Sequence, residues 1–207
     1  MALRKLHALS AALIAVFVSV HIANHLAGLA GATTHIAFME AARSAYRLGV
    51  IEWVLLSCVA FQIVSGLTLV VRGSKPRRGL VAWLQAVSGL YLAFFLVVHV
   101  GAVLFARGAL NLDTNFYFAA AGLHVAPFEY FFAPYYFLGV TALFTHLACA
   151  AHGRSGSRPR AARIFIVAIP SAVGAAVSLL IVLSLAGALF PVEIPAEYKA
   201  TYALPKR

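Results

Sequence analysis

The sequence predicts an all-α integral membrane protein, and three observations carry that prediction. First, of its 207 residues 63% are hydrophobic and the mean hydropathy is +0.92, whereas soluble domains sit near 45–50% apolar. Second, the apolar residues fall in five long runs without the alternation of a barrel strand, and only helices or closed barrels can span lipid. Third, the ionisable residues gather between those runs.

The runs cover residues 9–29, 50–71, 80–105, 134–151 and 164–190 of a single domain, 1–207. Each is about 18–27 residues long, against the ~20 that one crossing takes. The first follows Arg4 and Lys5, as a signal peptide would, but it is too long and carries His21 and His25. After it, "EAARSAYR" sets Arg43 and Arg47 four residues apart on one face of a short outer helix, either a solvated face or a site for propionate or phosphate. Cys58 and Cys149 lie inside spans, so no disulfide framework is expected, and no CxxCH for covalent haem occurs. The aromatic stretch "LDTNFYFAAAGLHVAPFEYFFAPYY" reads as an outer lid lying on the bilayer over a quinone pocket. The fifth run has no ionisable residue and Pro170 near its start; it packs on the other helices or on lipid.

Charge sets the orientation. Arg4, Lys5, Arg72, Lys75, Arg77, Arg78, Arg154, Arg158, Arg160 and Arg163 occupy the loops on the N-terminal side, with no acid among them. The other side holds Arg43, Arg47, Arg107, Lys199, Lys206 and Arg207 together with all the acids: Glu40, Glu52, Asp113, Glu129, Glu193 and Glu197. The net charge of +10 therefore lies on one face. The positive-inside rule puts that face and the N-terminus in the cytoplasm, or in an organelle matrix, and five spans put the C-terminus outside; a bacterial inner membrane is the expected location. Anionic lipid explains the basic face, and no nucleic-acid-reading motif is present.

The spans repeat in pairs. "LSAALIAVFVSVHIANHL" aligns with "VSGLYLAFFLVVHVGAVL", setting Ser10 on Ser88 and His21 on His99. "EWVLLSCVAFQIVSG" aligns with "YFLGVTALFTHLACA", setting Gln62 on His146. The expected architecture is a four-helix bundle of two repeated two-span units plus a fifth helix, with spans one and three diagonal. Helix rise places His21 and His99 in the outer half, and Gln62 and His146 in the inner half.

Intramembrane histidines are costly and need partners. Two facing imidazoles in an apolar bundle suit b-type haem, each giving one axial bond to iron. His21 and His99 are the expected ligands. Gly89, Ala23 and Gly28 are read as making room for the ring, with Arg107, Arg43 and Arg47 near its propionates. His25 could ligate instead of His21, touch a propionate or quinone, or face headgroups. His7, His35, His124 and His152 are read as solvated or interfacial. A zinc site lacks a third and fourth ligand at that level. At the inner level a glutamine amide is a poor iron ligand, so one haem is expected and a stable second one is not.

The segments "VHIANHL", "FMEAARSAYRLGVIEWVLL", "FQIVSGL", "LQAVSGLYLAFFLVVHV" and "YYFLGVTALFTHLACAAHG" resemble the five-span, diheme cytochrome b subunit of succinate dehydrogenase and fumarate reductase. The likeness covers nearly the whole chain. It implies that spans one and three hold the outer haem, through His21 and His99, and spans two and four the inner haem, through Gln62 and His146. Gln62 departs from that pattern. The resemblance further implies an anchor for flavoprotein and iron–sulfur subunits on the cytoplasmic face, passing electrons to or from quinone, with catalysis belonging to the complex. A second likeness, to mitochondrial membrane proteins of lipid homeostasis and organelle contacts, implies a stand-alone haem protein of redox-sensing or lipid-linked role. A haem-free structural protein is the third reading.

Overall fold

A computed structural model describes residues 2–72, 78–156 and 159–202. Lys75, Arg77, Arg158, Lys206 and Arg207, which enter the charge reading, lie outside the described residues. The chain is 81% helical, without strands among the described residues. Five helices are long and apolar enough to cross a membrane: α1 (Ala2–Ala27), α3 (Gly49–Val71), α4 (Leu80–Gly108), α6 (Glu129–Gly153) and α7 (Arg160–Leu185). Three shorter helices, α2 (Ala32–Tyr46), α5 (Phe116–Ala121) and α8 (Ala196–Ala200), join and follow them. All five predicted spans are present. The fourth begins five residues before Pro134, at Glu129. The proline deprives only the carbonyl of Tyr130 of its helical partner, and Tyr130 sits at the highly exposed start of the helix.

Consecutive spans are neighbours: α1 packs on α3, α3 on α4, α4 on α6 and α6 on α7, and α7 returns to α1. This order sets α1 and α4 on opposite sides of α3, as the repeat requires. Large apolar side chains such as Val16, Trp53, Val64 and Phe105 point outward and stay exposed, as a lipid-facing surface demands. Inside, close approach depends on small residues and on serines that bond across helices. Gly139 of α6 lies directly under the Phe95 ring of α4, and Gly174 of α7 lies under Phe144 of α6. Ser178 donates to the carbonyls of Phe137 (2.8 Å) and Tyr136 (3.2 Å). Ser184 donates to the Gly28 carbonyl at 2.9 Å and so ties the end of α7 to the end of α1. We expect Gly174→Leu to drive its side chain into Phe144 and lower stability in detergent by about 1–3 kcal/mol. An unchanged melting temperature would contradict this account of the α6–α7 seam.

The aromatic stretch departs from expectation. Its first part, Phe116–Ala121, folds into the best-buried core of the chain, whereas Tyr130 and Phe131 stay exposed. Asn115 caps α5 by accepting from the backbone N–H of Tyr117 and of Phe118. Phe116, Ala120 and Ala121 then bury fully against Ile181 and Leu185 of α7 and against Ile194 and Tyr198 of the C-terminal segment. Aromatic anchors and core aromatics have the same composition, so only the packing separates the two readings. With α2, these elements form a cap over the end of the bundle opposite the N-terminus.

Candidate functional site

Four histidines form a chain from mid-bundle to the cap. His99 of α4 and His21 of α1 face each other with ring centres 5.8 Å apart, at 69°. His25, one turn along α1, stands 4.7 Å from His21, and His35 of α2 stands 5.1 Å from His25. The facing pair is braced in the same way on both helices. Phe17 stacks on His21 (5.6 Å, 18°) and Phe95 stacks on His99 (5.2 Å, 11°). Each phenylalanine precedes its histidine by four residues, the spacing that meets on one helix face. Phe95 is held in turn by Tyr135 of α6, stacked at 4.7 Å, whose hydroxyl donates to the Phe95 carbonyl. Neither His21 nor His99 has a protein hydrogen bond on its ring nitrogens among the described residues, and both rings are half-buried.

His35 corrects the sequence reading. It is neither in a loop nor solvated; it lies on α2 and is only 3% exposed, edge-on to Phe116. Asn24 donates an amide N–H to His35 Nε2 at 3.1 Å. Burial, the charges of His21 and Arg43 adding to it, pushes the His35 imidazole down to about 4 and keeps it neutral. The Nδ1 atoms of His25 and His35 and the Oδ1 atom of Asn24 are buried without partners. His124, also read as solvated, bonds through Nε2 to the Leu185 carbonyl at 2.9 Å.

The three arginines are largely engaged. Arg43 is 8% exposed and pairs with Asp113 (2.7 Å) and Glu40 (2.9 Å), while also donating to the Thr114 carbonyl; it latches α2 to the segment before α5 and is no solvated face. Arg107 pairs with Glu52 across α4 and α3. Arg47 reaches the Thr114 hydroxyl at 3.4 Å, and burial together with Arg43 and Arg107 lowers its proton affinity. Gly89 and Gly28 do not flank the facing pair. A Cβ at Gly89 would press on the His146 ring, and one at Gly28 would meet His35 and Ser184. Ala23 is exposed.

At the inner level Gln62 and His146 do not meet. Gln62 donates to the His7 carbonyl and to the Ser10 hydroxyl, both at 2.6 Å. His146 donates from Nδ1 to the Gln85 carbonyl at 3.1 Å and lies 3.3 Å from Ser88 Oγ. His7, read as interfacial, bonds through Nδ1 to Ser65 Oγ at 2.7 Å.

The donor set at the outer level fits a haem iron. Two axial metal–imidazole bonds of about 2 Å each, with the ring radii added, set facing imidazole centres roughly 6 Å apart. The His21–His99 separation of 5.8 Å meets that, and the ring nitrogens are free to ligate. The sequence missed the Phe17 and Phe95 braces, although "FVSVH" and "FLVVH" repeat them openly. It missed His35 as well, although His35, Met39 and Arg43 follow one helical stripe and all three are buried. No family model, curated protein or solved structure matches this chain.

Proposed function

We propose that the chain is a membrane haem b protein, with His21 and His99 as axial ligands, serving as the membrane subunit through which a dehydrogenase exchanges electrons with quinone. The observation that carries the reading is the facing, Phe-braced pair with unbonded ring nitrogens. A bound haem supplies one-electron redox chemistry at that point. The chain's own residues do the rest. His21 and His99 bind, Phe17 and Phe95 hold the ring planes, and the cap over His35 keeps water from the outer end. The loops on the N-terminal side carry basic residues without acids, which supports a cytoplasmic N-terminus in a bacterial inner membrane. It also supports an acidic flavoprotein or iron–sulfur partner, with charge steering the encounter.

A stand-alone haem protein is the second reading. It is favoured by Gln62, whose amide is taken up by α1 and leaves the family's inner ligand pair incomplete. Two measurements test these readings. Purified chain should show a low-spin, bis-imidazole b-type visible spectrum; a chain that never holds haem when expressed with ample haem ends the proposal. Pull-down from native membranes at low salt should bring flavin and iron–sulfur subunits, with less recovered at high salt. Repeated recovery of the haem-loaded chain alone selects the stand-alone protein.

A further inference from the structure

The seam between α1 and α3 opens into a groove in the half of the spans nearest the N-terminus. Leu6, Leu9, Ser10 and Leu13 of α1 and Phe61 of α3 line it, and its volume is about 240 Å³. Leu6, Leu9 and Leu13 follow one helical stripe, three and four residues apart, and each is more than half exposed. Space is left because Ser10 is small where its neighbours on α1 are leucines. The one hydroxyl in the wall is already engaged. Ser10 Oγ donates to the His7 carbonyl at 3.2 Å and accepts from the Gln62 amide at 2.6 Å. A groove of leucine and phenylalanine with its only polar group satisfied takes hydrocarbon, not water or a polar ligand.

Cations stand at the inner end of both walls. Lys5 precedes Leu9 by four residues and so extends the leucine stripe of α1. Arg72 closes α3, and residues 61, 65, 68 and 72 share one face of that helix, so Arg72 continues the Phe61 wall. The two are in register. His7 and Ser65 are bonded at 2.7 Å and therefore level. Lys5 lies about 3 Å beyond that level, and Arg72 about 10 Å beyond it on the antiparallel helix. Helical side chains lean toward the N-terminus of their own helix, which turns the long Arg72 side chain back toward Lys5. Both residues are exposed. Neither pairs with a carboxylate among the described residues, and the loops on that side contain no acid at all. From Leu13 to Lys5 is about 12 Å, close to the ~15 Å of hydrocarbon in one leaflet. The groove thus sits at acyl-chain depth and the cations at headgroup depth.

A soluble anion would use the cations and leave the groove idle. An uncharged isoprenoid or acyl chain would use the groove and leave the cations idle. A phospholipid with a negative headgroup uses both. We propose that the α1–α3 seam is a binding site for an anionic phospholipid of the leaflet on the N-terminal side, with one acyl chain in the groove and the phosphate between Lys5 and Arg72. The site shares no residue with the His21–His99 pair and stands whether or not haem is bound. Each cation at a membrane surface favours an anionic lipid by about fivefold, or about 1 kcal/mol, so two that converge on one phosphate select it clearly over a zwitterionic neighbour.

The test uses the full chain reconstituted in phosphatidylcholine vesicles with a trace of phosphatidylglycerol or phosphatidylcholine, spin-labelled near the end of one acyl chain. Electron paramagnetic resonance separates the motionally restricted lipid from the bulk. The restricted fraction should be larger for phosphatidylglycerol. Lys5→Gln and Arg72→Gln should each lower that preference by about fivefold. Arg154→Gln, at the end of α6, which packs on α4 and α7, should leave it unchanged. Leu9→Trp, which fills the groove and keeps every charge, should lower the restricted phosphatidylglycerol as well. Equal restriction of the two lipids overturns the site. A fall in Arg154→Gln as large as in Lys5→Gln reveals a diffuse basic face and overturns it too, as does a restricted fraction that Leu9→Trp leaves unmoved. Should Leu9→Trp fail to fold, the comparison of Lys5→Gln with Arg154→Gln decides.

Discussion

His21→Ala and His99→Ala are each expected to remove about one haem per chain, or to leave it high-spin, while His25→Ala leaves the low-spin signal in place. The expectation follows from which rings face each other. His21 and His99 come from opposite sides of the bundle and stand 5.8 Å apart, so in the proposed haem site losing either would leave an axial position unfilled and change the spin state. His25 is packed instead against His21 and His35 and has no ring contact with His99. Absorbance and electron paramagnetic resonance of the purified variants read the spin state directly. Loss of the low-spin signal in His25→Ala, with retention in His21→Ala, would move the ligand one helical turn outward. Gly139→Leu gives a subtler version of the same experiment. Its side chain would displace Phe95, so the haem should be retained while the spectrum broadens and the potential shifts.

Phe116→Ala is expected to cost about 3–5 kcal/mol, the range for deleting a fully buried aromatic side chain. Phe116 has no exposed surface and joins α5 to Ile181 and Leu185 of α7, to Ile194 and Tyr198, and edge-on to His35. Removing it opens the core that closes the outer end of the bundle. Denaturant unfolding in detergent measures the loss. Modification of His35 by a water-soluble imidazole reagent gives a second readout, negligible in the wild type and fast in the variant. Equal stability and continued protection of His35 would show that the cap is held mainly by the Arg43 latch to Asp113 and Thr114.

The amino-acid order alone was enough to place the five spans and to bring His21 and His99 to one level. Both properties are local. Whether a segment of about 20 residues prefers lipid depends on its own composition, and depth along a helix follows from counting at a fixed rise. The paired repeat added the relation between helices one and three, because equal spacing from serine to histidine puts equivalent groups on equivalent faces. Partner choice was different, since it depends on the rotation of each helix about its axis and on segments far apart in the chain. Arg43 meets Asp113, and Arg107 meets Glu52, and no local pattern announces either pair. Gln62 aligns with His146 by repeat yet turns toward α1, because the His7 carbonyl and the Ser10 hydroxyl lie within 2.6 Å of its amide. The aromatic stretch after Leu112 has the composition of a membrane anchor throughout, and its first part, Phe116–Ala121, has the burial of a core. The same side chains satisfy both descriptions, and only the arrival of α7 and the C-terminal segment against α5 decides between them.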